Sequence, residues 1–253
     1  MTTKNNLTIT STTQYVDFID NFKVSNENSG NNAELIFRGQ PVDEPLLPKL
    51  ARIDLRIKSN SISKTEKLIL DEFRRGILPL SEFKPDNNWD LLALAQHHGL
   101  PTRLLDWTYN ALAALWFAVE NAPQIKDKGN YVNGVVWILA GEVNDFRTNT
   151  ESIDPLSNKI TKIFRSAVVS RRISAQAGLF TVHMINKNGK MYRFETNANF
   201  KKKLTRLTVP YDSFAKIRKQ LNILGVNSAT LFPDLDGFSK HLTWRFAKHK
   251  DEK

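Results

Sequence analysis

The chain has no cysteine, and that absence removes a disulfide framework, a thiol nucleophile and every zinc site built on thiolates. It also lacks a long apolar run. The longest, at 111–119, is about half of the roughly 20 residues that span a bilayer, so no membrane partner is expected. The first residues, Met-Thr-Thr-Lys-Asn-Asn, lack the basic-then-apolar order of a secretion signal, and a soluble cytoplasmic protein is expected. Linkers rich in proline, glycine or serine are missing, as are internal repeats. With 253 residues, 41% of them hydrophobic, the chain can bury a sizeable core. We read one domain over 12–245, with a flexible tail at 1–11 and a charged tail at 246–253.

Acidic residues are in short supply, 26 against 36 lysines and arginines, for a formal charge of +10. A polyanion such as nucleic acid is therefore an expected partner. The excess includes Lys162, Arg165, Arg171, Arg172, Lys201, Lys202, Lys203, Arg206, Lys216, Arg218 and Lys219. Solvated faces have the same composition.

Apolar spacing predicts a helix from Thr12 or Thr13 to Val24, then a loop over 25–32 and a short strand over 34–39 ended by Gly39. Three prolines forbid regular helix over 40–48. Ser63 and Glu66 read as a capping box for a helix over 64–78. Further helices are predicted over 88–98 and 109–120, with a central strand over 134–139. Strands follow over 164–169, 179–183, 190–194 and 204–209, with Lys-Asn-Gly at 187–189 as a hairpin turn. A basic amphipathic helix over 211–224 and a last helix starting near Ala229 or Pro233 close the order. Helices first and strands later indicate an α+β fold, with N-terminal helices packed on a mixed or antiparallel sheet.

Four clusters stand out. In Phe-Arg-Gly-Gln at 37–40, Arg38 ends a short strand and its guanidinium suits a phosphate, while Gly39 allows close backbone approach to a ligand. The alternative is an arginine paired with a neighbouring carboxylate. The second cluster, Gln-His-His-Gly-Leu-Pro-Thr-Arg-Leu-Leu-Asp-Trp-Thr at 96–108, reads as a bend between two buried helices. There His97 and His98 lie about 100° apart on a helix and cannot easily share a metal. His98 falls on the apolar stripe with Leu91, Leu94 and Ala95, so it is expected to point inward. Arg103 can pair with Asp106, and Asp106 or Thr108 can cap the next helix. Thr102 and Arg103 are expected on exposed backbone after the first helix has ended. In the third cluster, 171–180, Gln176 offers a donor and an acceptor but no general base. The fourth, 231–238, places Asp234 and Asp236 near a helix start, where capping explains them. No ligand spacing for a metal is found.

As an ordered set, these motifs resemble the FRG-domain family, named for its Phe-Arg-Gly motif, over roughly residues 12–245. The order of an arginine ending an early strand, a threonine-containing element and a later glutamine or acid is similar to the site plan of ADP-ribosyltransferases. That resemblance implies an ADP-ribosyltransferase-like core and NAD as substrate. Arg38 would grip its phosphates or ribose beside Gly39 and Gln40. His98, Thr102 and Arg103, with His97 and Asp106, would line the nicotinamide side. Arg38 and His98 would be catalytic, with Gln176 or Asp236 holding the ribose hydroxyls. The acceptor would be a nucleic acid or protein, as for a toxin or phage-defence effector with a neutralising partner. The chain departs from the plan in having no glutamate at the catalytic motif position. A nucleic-acid-binding module without chemistry is the alternative reading, and a metal-dependent hydrolase using His97, His98, Asp106 and Asp234 the third.

Overall fold

The computed structural model describes residues 7–30, 32–56, 62–80, 84–126, 129–148, 153–166 and 175–252. Within them, seven α-helices accompany a seven-stranded, open, mixed sheet, which places the chain in the α+β class. The sheet strands are β1 (Leu7–Thr8), β2 (Glu34–Gln40), β3 (Leu104–Thr108), β6 (Gly134–Gly141), β7 (Lys162–Phe164), β8 (Gly178–Val182) and β9 (Leu204–Val209). Their spatial order is β1-β9-β6-β2-β3-β8-β7. All neighbours run antiparallel except β1 and β9, which are parallel with Leu7 opposite Leu207. A separate ribbon joins β4 (Ile125–Lys126) to β5 (Asn130–Tyr131).

All the helices that cover this sheet lie on one face. Helix α1 (Thr12–Asn28) is capped by Ser11, whose hydroxyl accepts from the Gln14 amide at 3.2 Å. It continues through the first four residues of the region expected to be loop, to Asn28. Its Tyr15 is fully buried and donates to the Ala111 carbonyl at 3.0 Å, and burial raises the phenol's pKa. Helix α4 (Ala111–Val119) is capped by Asn110, not by Asp106 or Thr108 as expected. It packs with α1 and α5 (Phe214–Ile223) over Phe37, Val136, Ile138, Leu207 and Val209. Beyond them, α2 (Ile62–Gly76) and α3 (Asn88–His97) cover Leu104, Phe180 and Val182. The opposite face, with Ile36, Leu105, Trp107, Leu139 and Leu179, is closed by Leu46, Phe194 and Phe200 from connecting segments. Helices α6 (Ser228–Leu231) and α7 (Leu235–Phe246) complete the chain.

Several expectations change. Ser63 lies inside α2, so the capping box is not formed there, and Glu66 is fully buried. The stretch expected as a bend between helices contains β3, a strand inside the sheet. No strand forms over 190–194: the Asn186 amide closes a turn on the Lys190 carbonyl at 2.9 Å, and Phe194 opens a 3-10 turn. The strand expected over 164–169 is Lys162–Phe164, and its residues 167–169 lie outside the described residues. The one helix expected at the end is two. Among the described residues, no helix is long and apolar enough to cross a membrane.

Candidate functional site

Arg38 sits on β2 opposite Trp137 of β6, which in turn faces Arg206 of β9, so all three project from the face that connecting segments close. Strands β2 and β3 share one register pair, Phe37 with Thr108. Where they part, the Arg38 guanidinium bridges them: Nη1 donates to the Asp106 carbonyl at 2.8 Å and lies 3.8 Å from the Asp106 carboxylate. The arginine side chain is only 17% exposed. Burial pulls its pKa down, Asp106 opposes that, and the nearby Arg52 lowers it further. Three buried polar atoms of this neighbourhood have no hydrogen-bond partner: Arg38 Nε, Gln40 Oε1 and Trp137 Nε1. Unpartnered buried groups are costly, so three on adjoining positions mark a place where a ligand's polar atoms fit.

Gly39 serves the other face. A Cβ built there would lie 1.8 Å from the Ala114 carbonyl oxygen of α4. The close approach expected toward a ligand is therefore made by a helix backbone. That contact fixes the height of α4 above β2 and, through β2, the position of Arg38.

The stretch 96–108 supplies Asp106 and the groups that orient it. Thr102 donates from its hydroxyl to Gln96 Oε1 at 2.6 Å, and Gln96 Nε2 donates to the Asp106 carboxylate at 2.9 Å. A continuous chain thus runs from Thr102 through Gln96 and Asp106 to Arg38. Thr102 and Arg103, expected on exposed backbone, are both fully buried. Arg103 does not pair with Asp106. Its partner is Glu66, at 2.6 Å from Nη2 and 2.7 Å from Nε, and its Nη1 reaches the carbonyls of Pro155 and Leu156. His98, expected to point inward, is exposed, while His97 is half-buried with the two rings edge to face at 5.0 Å. The helix ends before His98, so the stripe extrapolated from Leu91 and Leu94 does not continue to it.

Gln176 is a joint in the fold. Its carbonyl accepts from the Thr108 hydroxyl, and its side-chain Nε2 donates to the Leu231 carbonyl at 3.0 Å. Asp234 caps α7 by accepting from the Gly237 amide at 2.8 Å, as expected. Asp236 lines a cavity among α4, α5 and α7 that has neither Arg38, His98 nor Gln176 in its wall. The structure therefore links Arg38 to Asp106 and, through Gln96, to Thr102, sets Gln40 two residues along β2 on the same face as Arg38, and leaves Asp236 in another neighbourhood. Four of the basic residues singled out from the sequence face acids: Arg165 with Glu34, Lys203 with Asp145, Arg206 with Asp43 and Arg218 with Asp251. Arg171 and Arg172 lie outside the described residues. No group of three His, Asp or Glu side chains suited to a metal occurs among the described residues.

Sequence reasoning missed Trp137, Glu66 and His183. Buried His183 places Nε2 3.0 Å from the Thr181 hydroxyl, which also accepts from Trp107 Nε1 at 3.0 Å. Burial, and secondarily Arg38, pull its pKa down to about 3. Its period-two spacing from Thr181 was the available signal; for Trp137 it was cross-strand register with Arg38.

The fold and site define an α+β protein in which an arginine inside β2, not at its end as expected, is held at a parting of the sheet by the Asp106 carbonyl, with the Asp106 carboxylate beside it. The chain carries an FRG domain: residues 33–127 match that family. The matched span holds Phe37, Arg38 and Gly39 and the whole stretch 96–108, but neither 172–180 nor 231–237. No curated protein and no solved structure, ADP-ribosyltransferase or other, matches the chain.

Proposed function

We propose that the FRG domain binds a phosphate-bearing nucleotide of the NAD class where β2 and β3 part, and that it transfers ADP-ribose from it to a nucleic-acid or protein acceptor. The observation behind this reading is the unpartnered polar set on Arg38, Gln40 and Trp137. Two donors, Arg38 Nε and Trp137 Nε1, suit phosphate oxygens, and the Gln40 oxygen suits a ribose hydroxyl. Charge points the same way, because Arg52 adds to Arg38 while the one carboxylate 3.8 Å from Arg38 is itself 57% exposed and screened. In the transfer the glycosidic bond of NAD would break, nicotinamide would leave with its bonding pair, and the acceptor's nucleophile would bond to the ribose carbon and release its proton to solvent. Asp106, oriented by Gln96, is the carboxylate that would stabilise positive charge on a ribose beside Arg38.

Calorimetric titration with NAD, ADP-ribose and pyrophosphate tests the binding step, and labelled NAD with cell extract tests transfer. Arg38→Lys keeps a charge but loses the planar fork, and at least a tenfold loss of affinity is expected with the fold retained. If the folded wild-type protein binds none of the three, the reading fails. Binding without transferred label would reduce it to a nucleotide-binding domain. Steep loss of nucleic-acid affinity with salt would favour the nucleic-acid module instead.

A further inference from the structure

A second site lies away from Arg38, in a cavity of about 780 Å³ between the C-terminal end of α4, α5 and the α6–α7 corner. Its walls are aromatic. Trp116 and Phe232 meet with ring centroids 6.0 Å apart, and Trp244 stacks on His241 at 6.0 Å, with the His249 ring tilted against it at 6.5 Å. Trp116 is a buried residue of α4, and Gly237 locks α7 against α6, because a Cβ there would meet the Phe232 carbonyl oxygen at 2.0 Å. The Trp116 wall and the α6–α7 corner are therefore held by packed helices, while His249 comes from the segment after α7.

The polar atoms of this cavity are incompletely satisfied. Trp244 Nε1, His241 Nδ1 and His249 Nε2 are buried without a hydrogen-bond partner. Glu120, at the end of α4, is half-buried; burial raises its pKa and Lys240 opposes the shift. Arg218 commits Nη2 to Asp251 at 2.7 Å and Nη1 to the carbonyls of Val119 and Asn121, leaving only its Nε without a partner. A phosphate would meet Glu120 and Asp236 in the lining, and a hydrocarbon would leave the ring nitrogens unpaired. A flat nitrogen heterocycle satisfies both walls and edges: its faces stack on the indoles, its N–H groups reach Glu120, and its ring acceptors take the indole and imidazole N–H groups.

We propose that this cavity binds a purine base, with Trp116 and Trp244 as stacking walls and Glu120 accepting from the base's N–H edge. The larger ring system favours purine over pyrimidine because stacking grows with overlapped area. The site is independent of nucleotide binding at Arg38. A purine can come from a free nucleoside or from an unpaired base of a single strand, and the two are separated by the ligand used.

Because Trp116 and Trp244 are two of five tryptophans, titration with adenosine, guanosine, uridine and a short purine-rich single strand is read by tryptophan fluorescence. Saturable quenching by adenosine or guanosine, stronger than by uridine, is expected, with Trp244→Leu and Glu120→Leu each weakening it about tenfold or more. Arg38→Lys is expected to leave it unchanged, and Trp244→Leu to leave pyrophosphate binding unchanged, so this site and the Arg38 site fail separately. Quenching by the single strand but not by nucleosides assigns the base to a nucleic acid. Absence of saturable quenching by any of the four, or quenching untouched by both cavity variants, overturns the proposal. Should Trp244→Leu not fold, Glu120→Leu alone decides.

Discussion

Arg103 shows how a residue that looks like a ligand contact becomes part of the frame. It is fully buried, faces a fully buried Glu66 at 2.6 Å, and donates from Nη1 to the carbonyls of Pro155 and Leu156. Glu66 also accepts from the Arg103 amide at 3.0 Å, so α2 is tied to the start of β3 by both side chain and backbone. Removing one partner leaves an uncompensated charge in the core. Glu66→Ala is expected to lower unfolding free energy by about 3–5 kcal/mol in denaturant titration, and Arg103→Lys is expected to recover little because it loses the fork. A loss below about 1 kcal/mol would show that the pair is not held as described. Arg103 was singled out from the sequence, but its partner stands far along the chain in a helix whose own pattern explained the glutamate as a cap. The arginine was legible and its role was not.

At the scale of elements, helices were easier to read than the central strand. Helix α3 announces itself by a capping asparagine and a continuous apolar run, and α4 by nine residues of which most are buried. Strand β3 does not. In Leu104–Thr108 only Asp106 is exposed, so the alternation that marks a half-buried strand is absent, and five residues are too few for periodicity to separate strand from bend. Asp106 is exposed because β2 has moved away, which is the same parting that admits Arg38. Gly39 couples these elements. Gly39→Ala places a methyl 1.8 Å from a backbone oxygen, which no rotamer change relieves, so α4 must lift from β2. A cost of about 3 kcal/mol or more is expected in thermal or denaturant unfolding, together with weaker nucleotide binding at Arg38. Near-wild-type stability would mean that the α4–β2 spacing is not what the glycine secures.

For the whole molecule, the α+β class and a mixed sheet followed from element order, while the gathering of the helices on one face, the strand order and the pairing of β1 with β9 had no local signature. The same limit applies to charge: a formal +10 is visible in composition, but which arginines face acids depends on tertiary contacts. His183 turns that tertiary environment into a measurable property of the entire fold. Its folded pKa is about 3, depressed by burial and then by Arg38. The unfolded value is ~6.5. Between the two, the unfolded chain binds the extra proton, so stability rises with pH through this window. The contribution is fully present above the unfolded value and is lost as pH falls toward the folded one. Chemically, Trp107 already donates to the Thr181 oxygen, which leaves that hydroxyl to donate to Nε2 of a neutral His183; protonation would replace an acceptor by a donor beside Arg38. His183→Gln keeps an acceptor for Thr181 and removes the titration. Unfolding free energy measured from pH 3 to 7 should therefore fall less steeply with acid in the variant, by up to ~1.4 kcal/mol per pH unit within the window. Parallel pH profiles for the two proteins would show that His183 titrates normally and that Arg38 is not felt from across the sheet.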